Sequence, residues 1–331
     1  MPEARRWIGG ALLVLLSLAL IAALWLTWQW HSRPSLEPWQ ALMLEREADD
    51  AAELRVTWLG VSTLLFDDGE TAILTDGFFS RPGVLRLIFG RIAPDEARIR
   101  KHLAQAGIDE LAAVLVVHSH FDHVMDAPEV ARLTGAMLVG SESTANVGRG
   151  AGLPESQIMV VNGPREMRLG DFSVTMMPSR HLPHGRAMGE ITEPLSPPVR
   201  VGEYLEGGSY AVLVEHHGRS MLLQGSAGFE SGALSSREAE VVFLGVGGLG
   251  AQDDDYLADY WNETVTALNA RRVIPVHWDD FTRPLTRPLV PFPRLIDDFE
   301  RTMGFLLQQG RKDGVEVHLM PSQQALDPFA E

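Results

Sequence analysis

Cysteine is absent from all 331 positions. That excludes disulfides, thiolate metal ligands and a cysteine nucleophile, and it restricts any metal site to histidine and carboxylate donors. Basic residues are scarce. Lys and Arg number 28 against 44 Asp and Glu, a net charge of -16. A surface that acidic repels phosphate backbones and nothing offers a basic stripe, so nucleic acid is not an expected partner. No short-period repeat is visible. Gly247-Gly248 follows an apolar run but lacks the rest of a phosphate-binding loop or dinucleotide fingerprint.

The one long apolar run lies at the N-terminus, where residues 8–28 carry no charge over 21 positions. As a helix they would span roughly 31 Å, about one hydrocarbon core. Arg5 and Arg6 precede the run, and Trp25, Trp28 and Trp30 sit where an interfacial aromatic belt would lie. Residues 1–33 therefore predict a retained signal-anchor with the large domain on the far side of the membrane. In a bacterial cell that is a single-pass inner-membrane protein facing the periplasm. A cleaved signal peptide is the competing reading, but its apolar region is normally shorter and ends in a small-x-small site.

Residues 34–54, with Pro34, Pro38 and a run of acidic residues and alanines, read as a linker. Residues 55–331 intermix strand and helix signals and predict one α/β domain of layered sheets and helices. The apolar run 55–66, the turn Asp67-Asp68-Gly69 and the answering run 71–75 predict a hairpin. Residues 94–106 and 255–270 predict helices, as do 294–309. Apolar runs of strand length fall at 111–117, 137–139, 158–161, 172–177, 211–215, 221–223, 241–246, 273–276 and 315–319. Residues 182–209, rich in Pro and Gly, read as a long inserted loop of the kind that is usually a lid or disordered.

The chemistry concentrates in His118-Ser119-His120-Phe121-Asp122-His123, directly after the run 111–117. Alternate residues of an extended segment project to one side, so His118 and His120 can reach one metal together. As the chain bends, Asp122 and His123 can face a neighbouring position. Neutral imidazole and carboxylate are what a cysteine-free zinc site must use. Other histidines look structural: His216 and His217 in an exposed hairpin turn, His102 on a polar helix face, His318 in the last strand, His31 at the membrane interface.

The spacing of His118, His120, Asp122 and His123 resembles the HxHxDH motif of the metallo-β-lactamase superfamily. The resemblance extends over most of residues 55–320. Thr57-Trp58-Leu59-Gly60 and Ser62-Thr63-Leu64-Leu65 are similar to the branch holding ascorbate-lactone hydrolases and N-acyl-phosphatidylethanolamine phospholipase D, although many members have His where this chain has Val61. The resemblance implies a four-layer αβ/βα sandwich. It implies one metal on His118, His120 and His181, and a second on Asp122, His123 and His277. Zinc, as two ions, is the implied cofactor; one ion, manganese or iron are the alternatives. Asp76 matches an aspartate that supports the metal loop by hydrogen bonds. His184, near His181, is an alternative ligand or a substrate-facing residue, and Asp279 is a candidate support behind His277.

The departure falls at Gln224-Gly225-Ser226-Ala227-Gly228, where much of the superfamily has an aspartate bridging both metals. Ser226 is a poor ligand when neutral. Three protein donors per metal still leave an open position, as a catalytic zinc requires. A similar ligand set with serine occurs in one subclass of true metallo-β-lactamases. The implied activity is hydrolysis by a metal-activated hydroxide oriented by Asp122, on an ester-type bond of a small or lipid-like substrate. The alternatives are a β-lactam-type amide hydrolase and a membrane-tethered binding protein with a degenerate site.

Overall fold

The computed structural model describes residues 2–44, 53–183 and 185–330. A first sheet runs through β1 (Arg55–Trp58), β2 (Leu64–Asp67), β3 (Ala72–Thr75), β4 (Ala113–Leu115), β5 (Met137–Gly140) and β6 (Ile158–Val160). The first three strands pair antiparallel and the rest parallel. The second sheet repeats that plan. Here β7 (Arg165–Leu169), β8 (Phe172–Ser179), β9 (Ser209–His216) and β10 (Arg219–Gln224) pair antiparallel, and β11 (Val241–Gly245), β12 (Arg272–Val276) and β13 (Glu316–Val317) continue in parallel. A final strand, β14 (Ala325–Leu326), closes the β1 edge of the first sheet.

Among the described residues, eight helices accompany the sheets: α1 (Pro2–His31), α2 (Val84–Phe89), α3 (Glu96–Gln105), α4 (Phe121–Val124), α5 (Ala127–Thr134), α6 (Glu142–Gly150), α7 (Asp254–Thr264) and α8 (Phe299–Asp313). Helices α5 and α6 cover the parallel part of the first sheet, and α8 lies along β13. Between the sheets, Phe66 of β2 meets Phe243 of β11 edge-on at 6.0 Å. The layers are helix, sheet, sheet, helix, the αβ/βα sandwich. Strands such as β11 and β12 are buried on both faces, which is why their sequences are unbroken apolar runs rather than alternating ones.

Some expectations need correcting. Residues 55–66 are not one strand: the chain reverses between β1 and β2, with Gly60 and Val61 in the left-handed region. Any side chain at position 60 would overlap the Arg81 guanidinium. The helix expected over 294–309 starts at Phe299, because the Asp298 side chain accepts from Arg301 N–H and caps it there. The helix expected over 255–270 ends at Thr264 and passes into a short 3₁₀ turn. His216 is buried, with Nε2 3.2 Å from Asp68 Oδ2, and His102 is buried against Phe79. Neither sits on an exposed surface.

Helix α1 contains a stretch long and apolar enough to cross a membrane, Leu12–His31, with mean hydropathy 2.1 and none of it buried. The chain beyond this helix is docked rather than slack. Leu36, Trp39, Leu42 and Met43 pack on the core, and Leu44 N–H donates to Leu319 O at 2.9 Å. Residues 45–52 of the expected linker lie outside the described residues.

Candidate metal centre

Strand β4 ends at Leu115 and delivers residues 116–120 to the rim of the first sheet, where α4 begins at Phe121. That turn lets one short segment supply donors to two places. The second sheet supplies one donor to each, His181 just beyond β8 and His277 just beyond β12. The result is two triads, His118–His120–His181 and Asp122–His123–His277, each with donor atoms within 4.8 Å of one another.

In the first triad the ring centres are 4.8, 4.6 and 4.7 Å apart, a nearly equilateral triangle of imidazoles set almost perpendicular to one another. In the second, Asp122 Oδ2 lies 3.7 Å from His123 Nε2 and 3.5 Å from His277 Nε2. The His118 and His123 rings, 3.9 Å between centres, join the two. Among the described residues, both ring nitrogens of His118, with His123 Nε2 and His277 Nδ1, are buried and have no hydrogen-bond partner. Buried nitrogens left unpaired are costly unless something else satisfies them, and converging lone pairs are what a metal ion requires. The donor set fits such an ion.

Burial, reinforced by the neighbouring imidazoles, holds the His118 pKa well below the ordinary histidine value, which keeps the ring in its neutral, ligating form. Burial alone would raise the Asp122 carboxyl. His123 and His277 outweigh it and hold Asp122 well below the usual carboxylate range. Burial works against a charged His123 as well, but Asp76 and Asp122 prevail and raise it.

Supporting contacts fix the orientation of the rings. Asp76, at the end of β3, accepts from His123 Nδ1 at 2.9 Å, from Ser62 Oγ at 2.6 Å and from Val117 N–H at 3.0 Å. With Nδ1 donating to Asp76, Nε2 of His123 turns its lone pair to the triad. His181 Nδ1 lies 2.8 Å from Leu182 O, which leaves Nε2 for its own triad. Ser226 Oγ accepts the Leu182 N–H at 3.0 Å, so this serine steadies the His181 loop. His120 Nε2 lies 3.3 Å from Ala187 O, which brings the long 182–209 segment onto the centre. His184 lies outside the described residues.

Asp279 is wholly buried behind His277. It pairs with Arg81 at 2.8 Å and accepts the Val61 N–H at 2.8 Å, while His277 N–H donates to Val61 O at 2.9 Å. Val61 thus contributes its backbone N–H and carbonyl to the link between Asp279 and His277. Sequence reasoning did not find Arg81, whose signal is a lone charge in an otherwise apolar run after Asp76. It did not find the role of Gly247 either. A Cβ there would meet His277 Nδ1 and O at 2.9 Å, so only glycine lets β11 end so close to the ligand.

The triads face a cavity of about 620 Å³. Its wall is aromatic on one side, where Phe121, Phe281 and Phe292 pack edge to face with ring centres 5.9 and 4.9 Å apart. Asp297, also in the lining, accepts the Gly248 N–H at 2.9 Å. The volume is in the range of sites for small organic ligands.

A family model described as Beta-lactamase superfamily domain matches residues 55–277. A UPF0173 metal-dependent hydrolase of Heliobacterium modesticaldum is 23% identical over 268 residues, covering 78% of this chain and 95% of that protein. One from Pyrobaculum islandicum is 31% identical over 119 residues, 36% of this chain; there the match spans 46% of the relative's length. The structure of a metallo hydrolase from Ignicoccus hospitalis is similar with a TM-score of 0.50 at 14% identity, over 82% of this chain and 97% of that one. At that identity the likeness is one of fold.

Proposed function

The chain belongs to the beta-lactamase superfamily, as a metal-dependent hydrolase of the metallo-β-lactamase fold, and we propose that it is a membrane-anchored enzyme cleaving an ester-type bond. The bond is a phosphodiester or a lactone in a small or lipid-like molecule. The observation that carries this reading is the pair of abutting triads on the floor of a largely apolar cavity. His118, His120 and His181 would hold one zinc ion, and Asp122, His123 and His277 would hold the other. Ions bound there would supply Lewis acidity to activate water and polarise the scissile group.

The chain's own residues do the rest. Asp122, kept ionised by its histidine neighbours, accepts a hydrogen bond from the attacking water and orients it. Asp76 and Ser62 keep His123 in one tautomer, and Ser226 keeps the His181 loop in place. Phe121, Phe281 and Phe292 exclude bulk water and offer an apolar face to the substrate. Helix α1 supplies the membrane anchor, and the enzyme domain faces the periplasm.

The test is turnover of phosphodiester, lactone and β-lactam reporters by the full chain before and after chelation. Activity on an ester-type reporter should disappear with the chelator, return with zinc, and be absent from a His118→Ala/His120→Ala double variant. Full activity in that variant would sink the metal-centred reading. Turnover confined to the β-lactam reporter would overturn the ester assignment alone.

A further inference from the structure

The end of α1 is bound to the wall of the metal-centre cavity. Arg33 pairs with the buried Asp280 at 2.7 Å and donates to Pro291 O at 2.9 Å, and Ser32 O accepts the Arg294 N–H at 3.4 Å. These contacts grip segment 280–297 at three points. The same segment begins three residues after His277 and carries Phe281, Phe292, Ile296 and Asp297 into the cavity lining. A flexible linker of some twenty residues would let the domain wander by roughly 25 Å. Here the attachment comes two residues beyond His31, the last residue of the apolar stretch.

Two further observations give this attachment a direction. Leu295 and Ile296, adjacent to Arg294, are large apolar side chains 48% and 50% exposed. An apolar track then leads inward: Ile296 shares the cavity wall with Phe292, Phe292 meets Phe281 edge-on at 4.9 Å, and Phe281 meets His277 edge-on at 5.7 Å. The track runs from the span's end to a metal-ligand candidate. Met188, 52% exposed beside Ala187 of the cavity lining, adds another apolar side chain near the centre.

We propose that the mouth of the metal-centre cavity lies on the membrane surface, held there by the Ser32–Arg33 latch, with Leu295 and Ile296 inserted at the lipid interface. The occupant of this surface is the lipid leaflet. The matching substrate class is an amphiphile whose head reaches the triads while its chain lies along Phe281 and Phe292. This rests on the anchoring and hydrolase readings and adds the route of entry. A leaflet pressed against the rim keeps an apolar chain out of water as it moves from bilayer to cavity, so its transfer costs little hydrophobic free energy.

The absence of cysteine makes the test direct. Leu295→Cys, and His217→Cys at the hairpin remote from the centre, each carry one environment-sensitive fluorophore on the full chain, in vesicles of phosphatidylcholine and phosphatidylglycerol doped with nitroxide lipid. The label at position 295 should lose most of its emission, and the label at 217 should lose none. Adding Arg33→Ala should restore much of the emission at 295, with turnover of whichever soluble ester-type reporter, phosphodiester or lactone, the unmodified chain cleaves retained as a check of folding. Flotation with the vesicles but no quenching at 295 overturns this proposal alone. Quenching indifferent to Arg33→Ala overturns the latch. Failure to float overturns the anchoring reading as well, while the hydrolase reading stands or falls on reporter turnover.

Discussion

Ser226 Oγ accepts the backbone N–H of Leu182 at 3.0 Å, while His181 Nδ1 sits 2.8 Å from the carbonyl of that same Leu182. The residue that stands where the resemblance implies a bridging carboxylate is thus engaged with a ligand loop. Ser226→Ala should leave the Leu182 amide unpaired and His181 loosely aimed. The expected cost is about 10–100-fold in metal affinity at the three-histidine triad, the usual scale for losing a supporting contact. Competition with a chromophoric chelator measures it; an unchanged affinity would remove Ser226 from the site. Ser226→Asp should instead tighten the weaker of the two metals.

Asp76 ties three things together: the end of β3, the Val117 amide and the His123 ring. Asp76→Asn keeps an acceptor for Val117 but presents an amide to His123 Nδ1, which favours the wrong tautomer. The Asp122–His123–His277 triad should then lose roughly 10–100-fold in affinity while the other triad changes little. Elemental analysis should fall from near two ions per chain toward one. Retention of both at equal affinity would contradict the assignment.

Burial pushes the carboxyl of Asp126 up to about 6, although Ser80 and Phe79 N–H groups donate to one of its oxygens. The folded state holds this proton more tightly than the unfolded chain, whose value is near 3.8. Its contribution is therefore fully present below about pH 4 and is lost as pH rises through about 6. Asp126→Asn cannot ionise. Its stability relative to wild type should climb by roughly 2–3 kcal/mol between about pH 4 and pH 7. Urea unfolding of both metal-free proteins across that range reads this directly, and a difference flat with pH would refute it.

The centre was more legible than the paths leading to it. His118 to His123 could be read because four donors in six residues, after a buried strand, have little other use. His181 and His277 were legible only through the resemblance, since a single histidine after a strand-like run says little by itself; β8 and β12 do end just before them. The reversal at Gly60-Val61 was hidden for a physical reason: its hydrogen-bond partners, Asp279 and His277, come from more than two hundred residues away. The start of α8 was hidden less deeply, since Asp298 is an ordinary capping residue that a longer helical pattern masked. His102 and His216 show the opposite error, because a polar side chain in a polar stretch can still be the one that turns inward.

Each triad draws two donors from the rim of the first sheet and one from the second. An ion in either place is therefore a rivet through the seam between the halves. The halves repeat the same plan of antiparallel strands continued by parallel ones, and each has its own helical cover. Metal affinity is then part of their mutual adhesion, and binding free energy counts as folding free energy. A chelator should act on this protein as a mild denaturant of the seam as well as an inhibitor.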